Sequence, residues 1–235
     1  MTITTRAAKG GPLTHAEMDE NFTDLRDGIN LMVPKDPGEG IKVDSLGTPT
    51  FGWHDLIGTV FVPDPTDPQA PTYATYRGVL HQYEFQENDE AQLLFHLPHD
   101  YVLGTTIYIH AHWSHIASDV TGGSVTWGFD LSYAKGHNQA AFSNPITIAE
   151  IQNASTVQYQ HLVCEAPASI VGGAANLLDT NLIEPDGLVI GRVRLIANNL
   201  TSVGPQPNIF LHTVDIHYQS SGVPTKNRAP NFWGV

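Results

Sequence analysis

The residues of this 235-residue chain best suited to chemistry are its histidines, twelve of them against eleven lysines and arginines together. Two stand as His110-Ala111-His112 in a strand-like stretch, and residues two apart on a strand project from the same face. A pair of imidazoles on one face is the beginning of a site for a first-row transition metal. The last strand-like segment, Ile209–Gln219, repeats the spacing with Asp215 and His217. In a trimer, one such strand per subunit near the three-fold axis would bring several imidazoles to a single ion. The simpler expectation is that these histidines hydrogen-bond at strand surfaces or subunit contacts, where titration near neutrality would make assembly sensitive to pH. No cofactor is expected and no metal site is assigned; His110, His112 and His217 are the residues that would hold an ion.

Gly104, five intervening residues and His110-Ala111-His112 resemble the opening of the cupin metal motif, and cupins are small barrels of jelly-roll type. The resemblance implies a metal-dependent enzyme, but it stops there. A cupin carries a glutamate shortly beyond the second histidine, whereas His115 is followed by Ile116, Ala117, Ser118 and Asp119. The stretch Gly187–Asn199, where a second motif would supply another histidine, has none. Other catalytic patterns are absent: no Gly-x-Ser-x-Gly elbow, no phosphate-cradling glycine loop and no His-Glu-x-x-His helix. The single cysteine, Cys164, lies in a half-buried strand pattern and reads as a core thiol. The chain is therefore read as non-enzymatic.

The elements that position these residues have a period of two. Val79, His81, Tyr83 and Phe85 alternate with Leu80, Gln82 and Glu84, and Gln92–Pro98 is an apolar run ending at a proline. Thr105–His115 puts Ile107, Ile109, Ala111 and Trp113 on one face, with Tyr108, His110, His112 and Ser114 on the other. After the turn signal Gly122-Gly123, the residues Val125, Trp127, Phe129, Leu131 and Tyr133 alternate with smaller or polar ones. Leu56–Val62, Ile146–Ile151, Val157–Glu165, Leu188–Ala197 and Ile209–Gln219 complete about nine strands. No crossover helix separates them, so the pattern predicts a mainly β protein: an antiparallel β-sandwich of jelly-roll type over residues 51–220, with a C-terminal extension over 221–235.

Before the sandwich the pattern is helical. Thr14 and Glu17 fit a capping box, with Leu13 placed to staple onto Met18. Met18, Phe22, Leu25, Ile29 and Met32 then follow at intervals of four, three, four and three, a heptad seam in an N-terminal helical arm over residues 1–33. So short a helix, with Gly28 inside it, must pack on something: its own domain, a self-associating bundle, or another protein. Pro34, Pro37, Gly38 and Gly40 end it and begin a linker over residues 34–50.

Charge limits the partners. The chain carries a net −13, unevenly spread. All 24 carboxylates fall between Glu17 and Asp215 alongside seven basic residues, which leaves −17 there, while Arg6, Lys9, Lys226 and Arg228 sit in acid-free ends. Such a body has no footprint for a nucleic-acid backbone and is repelled by anionic membranes, while the basic ends could meet an acidic partner.

The segment Pro12-Leu-Thr-His-Ala-Glu-Met-Asp-Glu-Asn-Phe22, with Leu25 after it, resembles a motif near the start of many tailed-bacteriophage virion proteins, tail fibres above all. The remainder is similar to a family of small phage structural proteins. The likeness lies in Phe95-His-Leu-Pro-His-Asp-Tyr101, His110-Ala-His-Trp-Ser-His115, Tyr133-Ala-Lys-Gly-His-Asn138, Asp215-Ile-His-Tyr-Gln-Ser220 and Thr225-Lys-Asn-Arg-Ala-Pro-Asn-Phe232. This resemblance implies a virion component on the particle surface, assembled in the host cytoplasm. The expected form is a homotrimeric capsid decoration (cement) or head-fibre protein bound to the major capsid protein or another virion protein. Leu13, Met18, Phe22, Leu25 and Ile29 of the arm would make the contact. The alternatives are a tail fibre or adaptor engaging a host-surface receptor and, remotely, the cupin-like enzyme. The long repetitive shaft that usually follows the fibre motif is missing.

Overall fold

The structure, a computed structural model, describes residues 10, 12–16, 18–19, 21–22 and 51–233. In chain order the strands are β1 (Gly52–Ile57), β2 (Thr59–Phe61), β3 (Thr72–Arg77), β4 (Leu80–Phe85), β5 (Glu90–His96), β6 (Tyr108–His115), β7 (Val120–Gly122) and β8 (Ser124–Ala134). They continue as β9 (Ile146–Asn153), β10 (Leu162–Pro167), β11 (Ser169–Ile170), β12 (Leu178–Asp179), β13 (Leu188–Asn198), β14 (Thr201–Ser202) and β15 (Ile209–Ser220).

Two antiparallel sheets hold the core between them. One runs β10-β6-β15-β4-β3, with β1 also paired to β15; the other runs β2-β5-β13-β8-β9. Taking β4, β5, β6, β8, β9, β10, β13 and β15 as strands one to eight, the first sheet has the order sixth-third-eighth-first and the second fifth-fourth-seventh-second, the order that two Greek keys give. That is a jelly roll, in which the chain passes repeatedly between the two layers. The alternation expected of the sequence makes the core. Ile107, Ile109, Ala111 and Trp113 face inward from β6 and its approach, and Val125, Trp127, Phe129 and Leu131 face them from β8, all fully buried. Phe85 meets Trp127 edge to face with ring centroids 5.4 Å apart.

Some strands differ from the sequence reading for reasons visible in the backbone. Leu56–Val62 is two strands, because at Gly58 the chain crosses from one sheet to the other. A Cβ there would lie 2.3 Å from the Phe95 ring, and the Gly58 N–H donates to Val214 O at 2.9 Å. Val157–Glu165 does not start as a strand: Tyr159 takes a left-handed φ of 61° and its N–H donates to His115 O, so pairing begins at Leu162. The strand β3, absent from the expected set, is joined to β4 by the two-residue turn Gly78-Val79, whose first position has φ +63°.

The arm is a correction in extent. His15, Ala16, Met18, Asp19, Asn21 and Phe22 have helical backbone, and Met18 N–H donates to Thr14 O at 3.0 Å. No helix of arm length is established among the described residues; Leu25 and Ile29 of the seam and the linker over 34–50 lie outside them. At the other end, residues 221–233 contain no strand or helix, yet Phe232 is buried against His99 and His137.

One irregularity determines which side chains share a face. Along β15, Ile209 pairs with His115 and Leu211 with Trp113, but the next partner of β6 is Thr213, opposite His112. The extra residue, His212, is a β-bulge. It changes the inward set from odd numbers (Ile209, Leu211) to even ones (Val214, Ile216, Tyr218), all buried. Thr213, Asp215 and His217 are thereby turned outward. Deleting His212 leaves Leu211 followed by Thr213 in unbroken alternation, so Asp215 should stay opposite His110 on the outward face and a cooperative unfolding transition should survive in urea. His212→Ala keeps the bulge and should cost about 1–2 kcal/mol, the loss of one partly buried hydrogen bond and some packing. A deletion variant that loses its cooperative transition would overturn the role given to the bulge.

Candidate functional site

The outward face of four adjoining strands, β10, β6, β15 and β1, carries the sequence-predicted histidines together. Register places Glu165 opposite His110, His110 opposite Asp215, and His217 opposite Asp55. Residues directly opposed on one sheet face come within side-chain contact. His112 is the next outward residue of β6, two positions on from His110, and His161 precedes β10. Thus His110, His112 and His217 form one cluster, joined by Asp55, Glu165, Asp215 and His161. Of these partners Asp215 had been noted beside His217; Asp55, Glu165 and His161 were not legible, since their place depends on cross-strand register.

The distances are those of a dense polar network. His112 Nε2 lies 3.3 Å and His110 Nε2 3.7 Å from the same oxygen, Asp215 Oδ2. His112 Nδ1 shares a hydrogen bond of 2.6 Å with His161 Nε2. His110 Nδ1 faces Glu165 Oε2 at 3.7 Å, while that oxygen is 2.6 Å from His217 Nδ1. His217 Nε2 in turn lies 2.6 Å from Asp55 Oδ1. Thr213 Oγ1 donates to Asp215 Oδ1 at 2.9 Å. The His110 ring sits 4.1 Å from that of His217 and 4.6 Å from that of His112. Although on an outward face, His110 is only 1% exposed, and the Asp215 side chain 8%.

Among the described residues, every ion-pair partner of Asp55, Glu165 and Asp215 is a histidine. Burial alone would raise the Asp215 carboxyl, but the adjoining His110 and His112 rings and the hydrogen bond from Thr213 hold it well below the usual carboxylate range. Two nitrogens shielded from solvent, His110 Nδ1 and His112 Nε2, complete no hydrogen bond. Two three-residue sets have ligand atoms within 4.8 Å of one another: His110, His112 and Asp215, and Asp55, His110 and His217. The histidines face away from the core, whose side of β6 is filled by Ile109, Ala111 and Trp113.

Other candidates resolve more simply. Cys164 is fully buried, and burial pushes its thiol up to about 12, which leaves it protonated and unreactive. At one end of the sandwich His96, His99 and His137 converge on Asp186, with His96 Nε2 at 2.8 Å and His99 Nε2 at 3.7 Å from Oδ1. Stretches quoted for the phage likeness meet here: Thr225 bonds His99 at 2.5 Å, and Phe232 packs on His99 and His137. The outer face of the second sheet carries an open trough of about 560 Å³, with Phe61, Leu94 and Ile190 beside Arg192, Asp130 and Gln92. Arg192 Nε donates to Asp130 at 2.7 Å, so its charge is already paired.

No protein-family model matches the chain, and no curated protein matches it in sequence. Among solved structures it is similar to the CBM22-1–GH10 modules of the Clostridium thermocellum N-terminal endo-1,4-beta-D-xylanase 10B complexed with xylohexaose. That likeness has 8% identity and a TM-score of 0.31, covering 70% of this chain and 26% of the other. It is also similar to the xylan-binding module CBM15, at 9% identity and a TM-score of 0.30, over 72% of this chain and 97% of the module. A xylan-binding domain of CBM 22 follows at 14% identity and a TM-score of 0.23, over 73% and 88%. The match thus spans about a quarter of the xylanase chain. The strand order defines the class, an antiparallel β-sandwich of jelly-roll type, and at these TM-scores the neighbours add nothing to it.

The bulge residue itself has an acid-sensitive setting. Burial first, then the charges of His161 and His112, lower the His212 ring from 6.5 to about 4. It sits against Ser114 Oγ at 2.8 Å and the Tyr76 ring. The unfolded chain takes up this proton near pH 6.5 and the folded one only near pH 4, so the stabilising contribution is complete above about pH 6.5 and lost as pH falls towards 4. His212→Asn should therefore lose less of its urea midpoint between pH 7 and pH 4.5 than the parent does. Equal losses in both proteins would dismiss His212 as a source of acid sensitivity.

Proposed function

We propose that this chain is a non-enzymatic structural protein of a tailed-bacteriophage particle, a homotrimeric capsid decoration or head-fibre protein. In this reading the N-terminal segment joins it to its own copies and to the major capsid protein or another virion protein, and the sandwich is displayed to solvent. One observation carries the reading. Phe22, the last residue of the segment resembling the phage motif, has helical backbone and is 70% exposed. Among the described residues the buried cluster between the sheets is built from the sandwich, Phe85 to Tyr218. An apolar residue on a helical turn that none of the described residues covers is a contact offered to another chain. The uneven charge suits this arrangement, since an acidic displayed body keeps a crowded particle surface soluble.

A second reading, a tail fibre or adaptor that touches a host-surface receptor, is favoured by the open trough on the second sheet. Phe61, Leu94 and Ile190 are each more than a third exposed there. Copy number separates the two. A decoration protein should be present in hundreds of copies per particle by gel densitometry against the major capsid protein, a tail component in few. Absence from purified particles would end both readings. The arm is tested on the full chain: Phe22→Asp should shift the sedimenting species from trimer to monomer and stop incorporation into particles. A trimer of unchanged mass in that variant would remove the arm from assembly.

A further inference from the structure

We propose that His110, His112 and Asp215 bind a divalent first-row transition metal ion of the Zn²⁺ class, one per chain, on the outward face of the sheet. The donor set is two imidazole nitrogens and one carboxylate oxygen, a combination suited to such ions and poorly suited to Ca²⁺ or Mg²⁺, which take oxygen ligands. One ligand atom from each of the three residues lies within 4.8 Å of the other two, and Asp215 Oδ2 is 3.7 Å from His110 Nε2 and 3.3 Å from His112 Nε2. Neighbouring ligands of a tetrahedral ion with bonds near 2.0–2.1 Å stand roughly 3.3 Å apart, so binding needs rotamer adjustment only.

The far side of each ligand is also provided for. A histidine that binds metal through one nitrogen typically donates from the other, and this fixes its tautomer. His112 Nδ1 is 2.6 Å from His161 Nε2, where an N–H on Nδ1 leaves the Nε2 lone pair directed at the site. His110 Nδ1 faces Glu165 Oε2, itself held by His217, and a shift of a few tenths of an ångström closes that bond. Asp215 Oδ1 accepts from Thr213, leaving Oδ2 for the ion. An ion at this point would also use His112 Nε2, which is buried and completes no hydrogen bond without one. With neutral imidazoles the cluster holds the carboxylates of Asp55, Glu165 and Asp215, and the described ion-pair partners are histidines alone, so a divalent cation offsets charge that no lysine or arginine meets there. The alternative set through Asp55 and His217 is less suited: the Asp55 side chain is 61% exposed and already paired with His217 Nε2. Three protein ligands leave a fourth position, and the 19% exposure of His112 puts it towards solvent, where water or a group from a neighbouring chain can enter.

The test uses the full chain without a histidine tag, stripped with chelator and titrated with Zn²⁺ in a calorimeter. One equivalent should bind, and His112→Ala and Asp215→Asn should each weaken binding at least 100-fold while circular dichroism stays that of the parent. Asp55→Asn should leave affinity within about threefold. Absence of saturable binding overturns the proposal, as does undiminished binding in the His112→Ala and Asp215→Asn proteins; a loss confined to Asp55→Asn moves the ion to the other set and overturns this one. A measurement on the parent chain alone guards against variants that fail to fold. X-ray absorption of the Zn²⁺-loaded protein should show two imidazoles at about 2.0 Å, and fewer than two would refute the assignment. Neither outcome bears on presence in virions, so the site and the proposed structural role stand or fall separately.

Discussion

The extra residue in β15 is the constraint on which both faces of the larger sheet depend. A strand has only two faces, and one residue too many in regular pairing exchanges them for everything beyond it, unless a bulge absorbs that residue as at His212. Before His212 the inward residues are Ile209 and Leu211; after it they are Val214, Ile216 and Tyr218. The same step brings Asp215 and His217 to the side where β6 presents His110 and His112. Were His212 instead held in regular pairing, Asp215 would stand opposite Ile109 in the core, where an unpaired charge is far too costly to persist. Bulges recur beside functional sites because they re-aim side chains in this way.

The polar cluster and the core are two products of one alternation. Ile109, Ala111 and Trp113 close the interior of β6, while His110 and His112 between them have only one another, β10 and β15 for company. Side-chain rings then cover His110 so fully that an outward residue becomes as buried as the core. That burial is what separates it from ordinary surface histidines such as His81, which merely pairs with Thr75 across a hairpin. Low exposure strengthens each electrostatic contact and makes each unfilled hydrogen-bonding position more costly. A cluster of several histidines and carboxylates with shielded, unfilled nitrogens is therefore a better setting for a cation than for isolated hydrogen bonds.

The opposite end of the molecule is organised around one carboxylate. Asp186 gathers His96, His99 and His137, and Phe232 folds back over two of those rings. Residues 221–233 thus return to the sandwich although they form no regular element. The N-terminal segment behaves differently: Phe22 stays exposed on its helical turn, and the proposed assembly role rests on that contrast.

Much of the sandwich was legible because burial imposes a period of two on strands. Trp113, Trp127, Phe129 and Ile109 could be placed in the core from alternation alone, and so could the shared outward face of His110 and His112. The jelly-roll class followed from many short strands without crossover helices. What alternation cannot encode is which strand lies beside which, because pairing is decided by contacts among residues distant in sequence. Asp55, Glu165 and Asp215 come from three separate strands and meet His110 only through antiparallel register. The break at Gly58 was hidden for the same reason: it exists because the Phe95 ring, distant in sequence, occupies the space a side chain would need. The sequence by itself determined the periodicity, the core residues and the outward histidine pair, since these are local properties of a strand. Only the tertiary structure decided that the pair acquires a carboxylate and a shell of supporting groups, since the bulge at His212 and the stacking of four strands act between segments and leave no local mark.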